Sequence, residues 1–448
     1  MQNERGPCGR GPAAVIFLVS FLVQSAALGL GQEARADAGQ DTNAALASRP
    51  GWGRFKTRLD DRGVTLGLAY LGEVFSVVAG GLRRGPVDLH NLSLTLSLDL
   101  SKLAGWHGAT LYVYGMGLAG RDPERYFGDL QGVSNIAAPH AVRLYEAWLR
   151  QDLWRGRLSL LAGIYDLNSE FDVIEAATVL LNPSQGIDPT FAFSGLNGPS
   201  VFPYTTLGFR ARFKTGGFYL QSAVMNGLAG DPADPDGTRI VLRKANGVLL
   251  AAEAGYRLPL ALGRHRRQAV RESIRRYVQP TYAGKIAVGL WTYAARFAPI
   301  LPGPGEAERI PGYRGFYVLL SHAVWREAGD TGRKLIAFTR VGVANPRLNR
   351  IGLFTGGGLS FTGLLARRSK DIAGMAFAAA FNGDDFMRKA ALAGSPVRRA
   401  EWNLELTYQA RLLSWLDLHP DVQFVLHPSM APSVPNALGF GVRAEISF

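Results

Sequence analysis

The stretch Glu401–Leu412 limits what this chain can fold into more than any other. Trp402, Leu404, Leu406, Tyr408, Ala410 and Leu412 fall on one parity, and Glu401, Asn403, Glu405, Thr407, Gln409 and Arg411 on the other. A period of two belongs to a β-strand whose two faces meet different surroundings. The C-terminal end repeats it, with Leu438, Phe440, Val442, Ala444, Ile446 and Phe448 alternating with Gly439, Gly441, Arg443, Glu445 and Ser447. An all-β fold follows, in one of two forms. A soluble sandwich or barrel hides the apolar face inside. A transmembrane barrel turns that face to lipid and lines its lumen with the polar one. Alternation alone does not choose, and these two strands by themselves favour the soluble form.

The N-terminus and the composition shift that balance. Arg5 and Arg10 precede a mostly apolar run, Ala13–Leu30, and Ala34-Arg35-Ala36 gives a small-x-small cleavage site before Asp37. Residues 1–36 therefore read as a secretory signal peptide. The single cysteine, Cys8, lies within it, so the mature chain is expected to have no disulfide and no thiol chemistry. Of the formal charge of +13, removal of Arg5, Arg10, Arg35, Glu4 and Glu33 leaves +12. Beyond the signal no run of about twenty apolar residues occurs. Charged residues make up only 19% of the chain, with 54 glycines, which suits a β-rich wall and not a disordered chain.

Residues 37–62 read as a flexible lead-in, and 63–448 as strands. The clearest strand is Asn91–Leu100, where Leu92, Leu94, Leu96, Leu98 and Leu100 alternate with Asn91, Ser93, Thr95, Ser97 and Asp99. With 63–78, 108–118, 142–153, 156–165, 205–213, 217–226, 248–258 and 282–293 on one side of the chain's middle, the count continues through 314–325, 331–344, 351–365, 371–382, 400–412, 415–427 and 437–448. The total is about sixteen, an even number as single-chain bacterial barrels require. Tight and long connections alternate, the long ones mostly after odd-numbered strands, with 259–281 as the exception. The longest, Asp166–Tyr204, is expected to carry one helix, Asp172–Leu181, stopped by Asn182-Pro183. A loop of this length that folds into a barrel narrows the lumen.

The residues at this point resemble the carbohydrate-selective porins of the OprB family over about Gly63–Phe448. The resemblance rests on Tyr145-Glu146-Ala147-Trp148 through Gly156-Arg157-Leu158 and Ala162-Gly163 to Glu170-Phe171-Asp172, and on Gly284–Trp291. Its most specific part is Glu405-Leu406-Thr407-Tyr408-Gln409 with Trp415-Leu416, Pro420–Val425 and His427-Pro428. Asn345–Arg350 matches only loosely, and Asp166–Tyr204 fades after Pro189. The resemblance implies a sixteen-stranded barrel in the bacterial outer membrane. Inward loops and charged side chains would constrict its entrance, sugars would be its permeating solutes, and the terminal Phe448 would be read by the outer-membrane assembly machinery. Outer-membrane lipid and lipopolysaccharide are the expected surroundings.

A sugar offers hydrogen-bonding edges and flatter apolar faces, so its pathway needs charged partners and aromatic rings. On lumen parity stand Glu401, Asn403, Glu405, Gln409, Arg411, Asp421, Gln423, Arg443 and Glu445. Glu73, Glu146, Arg210 and Arg212 sit on strands that alternate less cleanly, and Asp166 and Glu170 open the long loop, which also carries Phe171, Phe191 and Phe193. Competing patterns are weaker. Arg264, Arg266, Arg267, Arg271, Arg275 and Arg276 form the densest charge run, but an exported barrel meets no nucleic acid. His419 and His427 share parity with Asp417 and Asp421, yet eight residues of strand span roughly 26 Å, too far for one metal ion. No G-x-S-x-G, H-E-x-x-H or phosphate-binding loop occurs, and neither cofactor nor metal is implied. A general or anion-preferring pore, suggested by the +12 charge, and a barrel enzyme remain as alternatives.

Overall fold

The computed structural model describes residues 52–258, 282–327, 332–365 and 367–447. Among the described residues every strand lies in the unit 55–448. Helix α1 (Trp52–Asp61) forms where a flexible lead-in was expected. The first eight strands are β1 (Val64–Ala79), β2 (Gly85–Asp99), β3 (Ala109–Gly120), β4 (Ala141–Leu153), β5 (Leu158–Tyr165), β6 (Thr206–Thr215), β7 (Phe218–Asn226) and β8 (Val248–Leu258). The second eight are β9 (Gly284–Tyr293), β10 (Arg314–Arg326), β11 (Lys334–Ala344), β12 (Ile351–Thr362), β13 (Ile372–Asn382), β14 (Ala400–Leu413), β15 (Leu416–Leu426) and β16 (Ala437–Ser447). Each pairs antiparallel with its sequence neighbours, and β1 pairs with β16, so the sheet closes and leaves no edge. The short helices are α2 (Leu100–Ala104), α3 (Glu124–Phe127), α4 (Pro189–Ala192) and α5 (Asp384–Leu392).

Burial decides between the two barrels that alternation allowed. Leu94 is 59% exposed and Leu406 58%, while their neighbours Thr95 and Glu405 are 5% and 2% exposed. The polar parity is the covered one, and the leucines, valines and phenylalanines face outward, the reverse of a soluble barrel and the pattern of a lipid-facing wall. Closure also gives each strand a hydrogen-bonded neighbour on both sides, the condition for crossing lipid.

The expected strands match in number and position. Connections at one end are mostly short turns, such as Gly216-Gly217, whereas those after odd-numbered strands include the long ones, 121–140, 166–205, 227–247, 294–313 and 383–399. The basic stretch 259–281 and the last residue, Phe448, lie outside the described residues. The helix expected at Asp172–Leu181 is instead a 3-10 turn, Glu175–Val179. Asp172 adopts a left-handed φ of 56°, and the backbone of this segment is held by strand side chains rather than by its own ladder. Asn182 does not stop a helix but caps the next short turn, its side chain accepting from Ser184 N at 2.9 Å.

Candidate solute pathway

The segment 166–205 lies against the polar face of the wall, and strand side chains hold it there. On β4, Glu146 Oε1 accepts from Asp166 N at 3.0 Å, and the Tyr145 hydroxyl donates to Asp166 at 2.6 Å. A β-bulge opposite Tyr114 and Gly115 shifts Glu146 onto the polar face, which is why this strand alternates poorly in sequence. On β6, Arg210 and Arg212 both pair with Glu170, at 2.6 and 2.8 Å. Tyr165 donates to the same carboxylate at 2.8 Å, and Gln221 on β7 donates to the Glu170 carbonyl at 2.9 Å. Burial pushes the Glu170 carboxyl up, but Arg212 and Arg210 outweigh it and hold it below its ordinary range.

The densest attachment was not foreseen from sequence. Glu253 on β8 accepts from the hydroxyls of Tyr219 and Tyr317, both at 2.7 Å, and from Asp172 N at 2.9 Å. Arg340 on β11 pairs through Nε with Asp172 at 3.0 Å. Its other nitrogens donate to the carbonyls of Ser184 at 3.0 Å, Asp172 at 2.6 Å and Gly186 at 3.1 Å. Lys285 on β9 donates to the Val173 carbonyl at 2.6 Å. Burial pushes the carboxyls of Asp172 and Asp188 up, with Arg340 pulling against it in both. Gly342 is required beside this knot, because a Cβ there would lie 1.9 Å from an Asp188 oxygen. Phe191 stacks on Trp291 at 5.0 Å, and Tyr293, Tyr313 and Tyr317 pack around them. A lone Glu in the Ala-rich strand Val248–Leu258, and a lone Arg in Lys334–Ala344, are the only sequence signals that could have singled these anchors out.

β14–β16 and β1 hold two segments. Glu405 accepts from the backbone of Leu181 and Asn182, at 2.5 and 3.1 Å. Glu401 accepts from Leu130 N, Gln131 N and Ser429 N, at 2.8, 2.9 and 2.5 Å. Gln423 links Asn403, Asp421 and the Val133 carbonyl, at 2.9, 2.9 and 2.7 Å. Arg443 pairs with Glu73, its register partner across the β1–β16 seam, at 2.6 Å, and donates to Asn135 at 2.9 Å. Gln409 and Arg411 both bind Asp417, at 2.9 and 2.5 Å. Glu445 shares their face and is half-buried.

Thus all fifteen of the charged and amide residues singled out in sequence lie on the polar face or on the segment packed against it, but they split into two groups. Glu73, Glu401, Glu405, Asn403, Gln409, Gln423, Asp421, Arg443, Arg210 and Glu146 are buried, several of them bound to loop backbone; Arg212, Arg411, Glu445, Asp166 and Glu170 keep some exposure. Near the exposed group, Trp148 stacks on Tyr112 at 4.8 Å with Arg150 over its ring at 5.9 Å. Of the three loop phenylalanines, Phe171 and Phe191 are buried and only Phe193 is open, at 43%. His419 is buried beside Arg443 on the next strand, whereas His427 lies past the end of β15 in a left-handed conformation and shares no face with it. Among the described residues no three His, Cys, Asp or Glu side chains converge on a metal position.

Comparison with known proteins bears on this arrangement. The family described as carbohydrate-selective porin, OprB family, matches residues 83–448. Porin B of Pseudomonas aeruginosa is 22% identical over 468 residues, covering 96% of this chain and 97% of its own. The high-pH structure of Pseudomonas putida OprB superposes with a TM-score of 0.75 at 21% identity, covering 89% of this chain and 97% of that one. The low-pH structure gives 0.57 at 17% identity, over 92% and 100%.

Proposed function

The chain belongs to the carbohydrate-selective porins of the OprB family, and on that premise we propose that the 166–205 segment makes its lumen a sugar-selective constriction. The protein is a bacterial outer-membrane channel for passive diffusion of sugars, and family and fold indicate a channel rather than an enzyme. The observation that carries the constriction is that side chains from β4, β6–β11 and β14 converge on one segment. A closed barrel brings strands so far apart in sequence onto one segment across its lumen.

The division of the polar residues gives each group a role. The buried residues, Glu73, Glu146, Arg210, Glu401, Asn403, Glu405, Asp421, Gln423 and Arg443, set the shape of the pore by fixing loops and neighbouring side chains. The partly open ones, Asp166, Glu170, Arg212, Arg411 and Glu445, offer hydrogen bonds to a passing sugar, while Gln409, buried against Asp417, belongs with the first group. Trp148, braced by Tyr112 and Arg150, supplies a ring for a sugar face. Such contacts must stay weak for the solute to leave. Residues 1–36 direct export and are removed, the outward leucines and valines meet outer-membrane lipid and lipopolysaccharide, and Phe448 serves the assembly machinery.

Single-channel conductance titrated with mono- and disaccharides tests the reading. Concentration-dependent block is expected, stronger than for a salt-matched inert solute. Strong anion selectivity in the reversal potential with no sugar block would reject it in favour of an anion-preferring pore.

A further inference from the structure

The connection after β3 carries an unbalanced set of buried oxygens. Asp129 is 5% exposed and Gln131 4%. Neither Asp129 carboxylate oxygen meets a hydrogen-bond donor from another residue, and Gln131 Oε1 is likewise without a donor. Gln131 is not misoriented, because its Nε2 donates to the Glu401 carbonyl at 3.2 Å, which leaves the oxygen as the free end. The orphaned side-chain atoms of this stretch are all acceptors. Burying an ionised carboxylate with no donor is strongly unfavourable unless an opposite charge accompanies it.

The local frame is rigid. Left-handed glycines, Gly128 at φ 75° and Gly132 at φ 77°, bracket Asp129–Gln131. The amides of Leu130 and Gln131 are both committed to the Glu401 carboxylate, at 2.8 and 2.9 Å, so they cannot turn to Asp129. On the solvent side, Glu124 places Oε1 3.8 Å from the position a Cβ on Gly132 would take. Orphaned acceptors that are all oxygens, with the exposed Glu124 carboxylate on the same short connection, suit a hard divalent cation and not a thiol- or imidazole-preferring metal.

We propose that Asp129 and Gln131 bind a calcium ion, with Glu124 and water completing its shell, and that this ion pins the 121–140 segment against the wall. The segment also reaches Gln423 and Arg443 through the Val133 carbonyl and Asn135, and Asn135 N donates to the Leu181 carbonyl. The ion would thus brace the piece of chain against which 166–205 rests. The proposal stands independently of the sugar reading.

Isothermal titration of the full-length folded protein with calcium chloride in detergent tests it, alongside thermal unfolding in calcium or chelator. One site per chain is expected, with affinity on the order of 10⁻⁴–10⁻³ M as in extracellular calcium modules, and a higher unfolding temperature with calcium than with chelator. Asp129→Asn, which keeps the shape and removes the charge, should weaken binding at least tenfold and abolish the thermal shift. Asp234→Asn, in another connection of the same rim, should change neither. Absence of calcium binding by folded protein overturns the proposal, as does unchanged binding in Asp129→Asn. A third overturning result is Asp129→Asn more stable than the parent with no calcium effect in either, which identifies Asp129 as a neutral buried acid.

Discussion

Two long connections leave the same end of the barrel, 166–205 after β5 and 383–399 after β13, and they behave oppositely. The first buries Asp172, Asn182, Asp188, Thr190 and Ser194 almost completely. Its short turns are capped by its own Asp166, Asn182 and Asp188, and strand side chains bind backbone groups between them, in place of the regular helix its sequence suggested. The second forms helix α5 with no buried residue, and its ion pair Arg399–Asp384, at 2.6 Å, joins side chains that are 58% and 63% exposed. Length does not separate a wall-held loop from a surface one. What separates them is whether the wall beneath offers donors and acceptors that match the loop backbone. Arg340, Glu253, Lys285 and Glu405 do so for the first, whereas among the described residues no strand side chain binds the α5 backbone, and the second is tied outward at its ends, by Gly383 N to the Arg350 carbonyl and Arg398 N to the Met430 carbonyl, both at 2.7 Å.

The comparison breaks most clearly under deletion. Replacing Ile174–Thr190 with a short Gly/Ser linker should leave the barrel folded, since its strands are closed by one another. Single-channel conductance should rise and sugar block weaken. The same replacement of 384–395 should change neither. Equal behaviour of the two variants would remove 166–205 from the pathway.

A single substitution should come next in size. Arg340→Ala strips Asp172 of its buried partner and leaves the Ser184 and Asp172 carbonyls without donors, a loss of about 3–5 kcal/mol by analogy with other broken buried pairs. Limited proteolysis within 166–205 and a lowered unfolding midpoint measure it. Arg340→Lys should not restore the parent behaviour, because one ammonium cannot span the positions a guanidinium fork reaches.

Acid should loosen the start of the same segment more gently. Arg212 and Arg210 hold Glu170 below its ordinary range, so the contribution of this cluster is complete above roughly pH 4 and is lost as pH falls below that. Facing Glu170 are Arg210 and Arg212 on β6, Tyr165 at the end of β5, and Gln221 on β7. Conductance recorded downward from pH 7 should stay level and then become noisier below about 4. Glu170→Gln should show that noise already at pH 7.

The smallest effect belongs to the exposed pair. Arg399→Ala should change stability by about 0–1 kcal/mol, as for other surface ion pairs, and leave conductance unaltered. A larger loss in thermal unfolding would mean that α5 is anchored more firmly than its exposure implies.

The wall was legible in the chain because each strand states its own pattern. The leucines at 92, 94, 96 and 98 and the two parities of Glu401–Leu412 need no knowledge of other strands to be assigned to faces. Glu146 was harder, since a bulge changes its face and a bulge leaves no mark in periodicity. The helix expected at Asp172–Leu181 was misread for a related reason. Local propensity favours it, but Glu253 and Arg340, 81 and 168 residues away, take the backbone groups that a helix would have used.

By itself the sequence determined that this chain makes some sixteen alternating strands, and which side chains share a face on most of them, because both follow from a two-residue period along the chain. Only the tertiary structure decided that the sheet closes, which face is covered, and which polar residues are anchors and which keep some exposure. Those depend on partners contributed by strands across the barrel. Glu405 and Arg411 look alike in the strand that carries both. One is bound to the backbone of a loop more than two hundred residues away and the other stays a quarter exposed, because contact across a lumen has no period in the sequence.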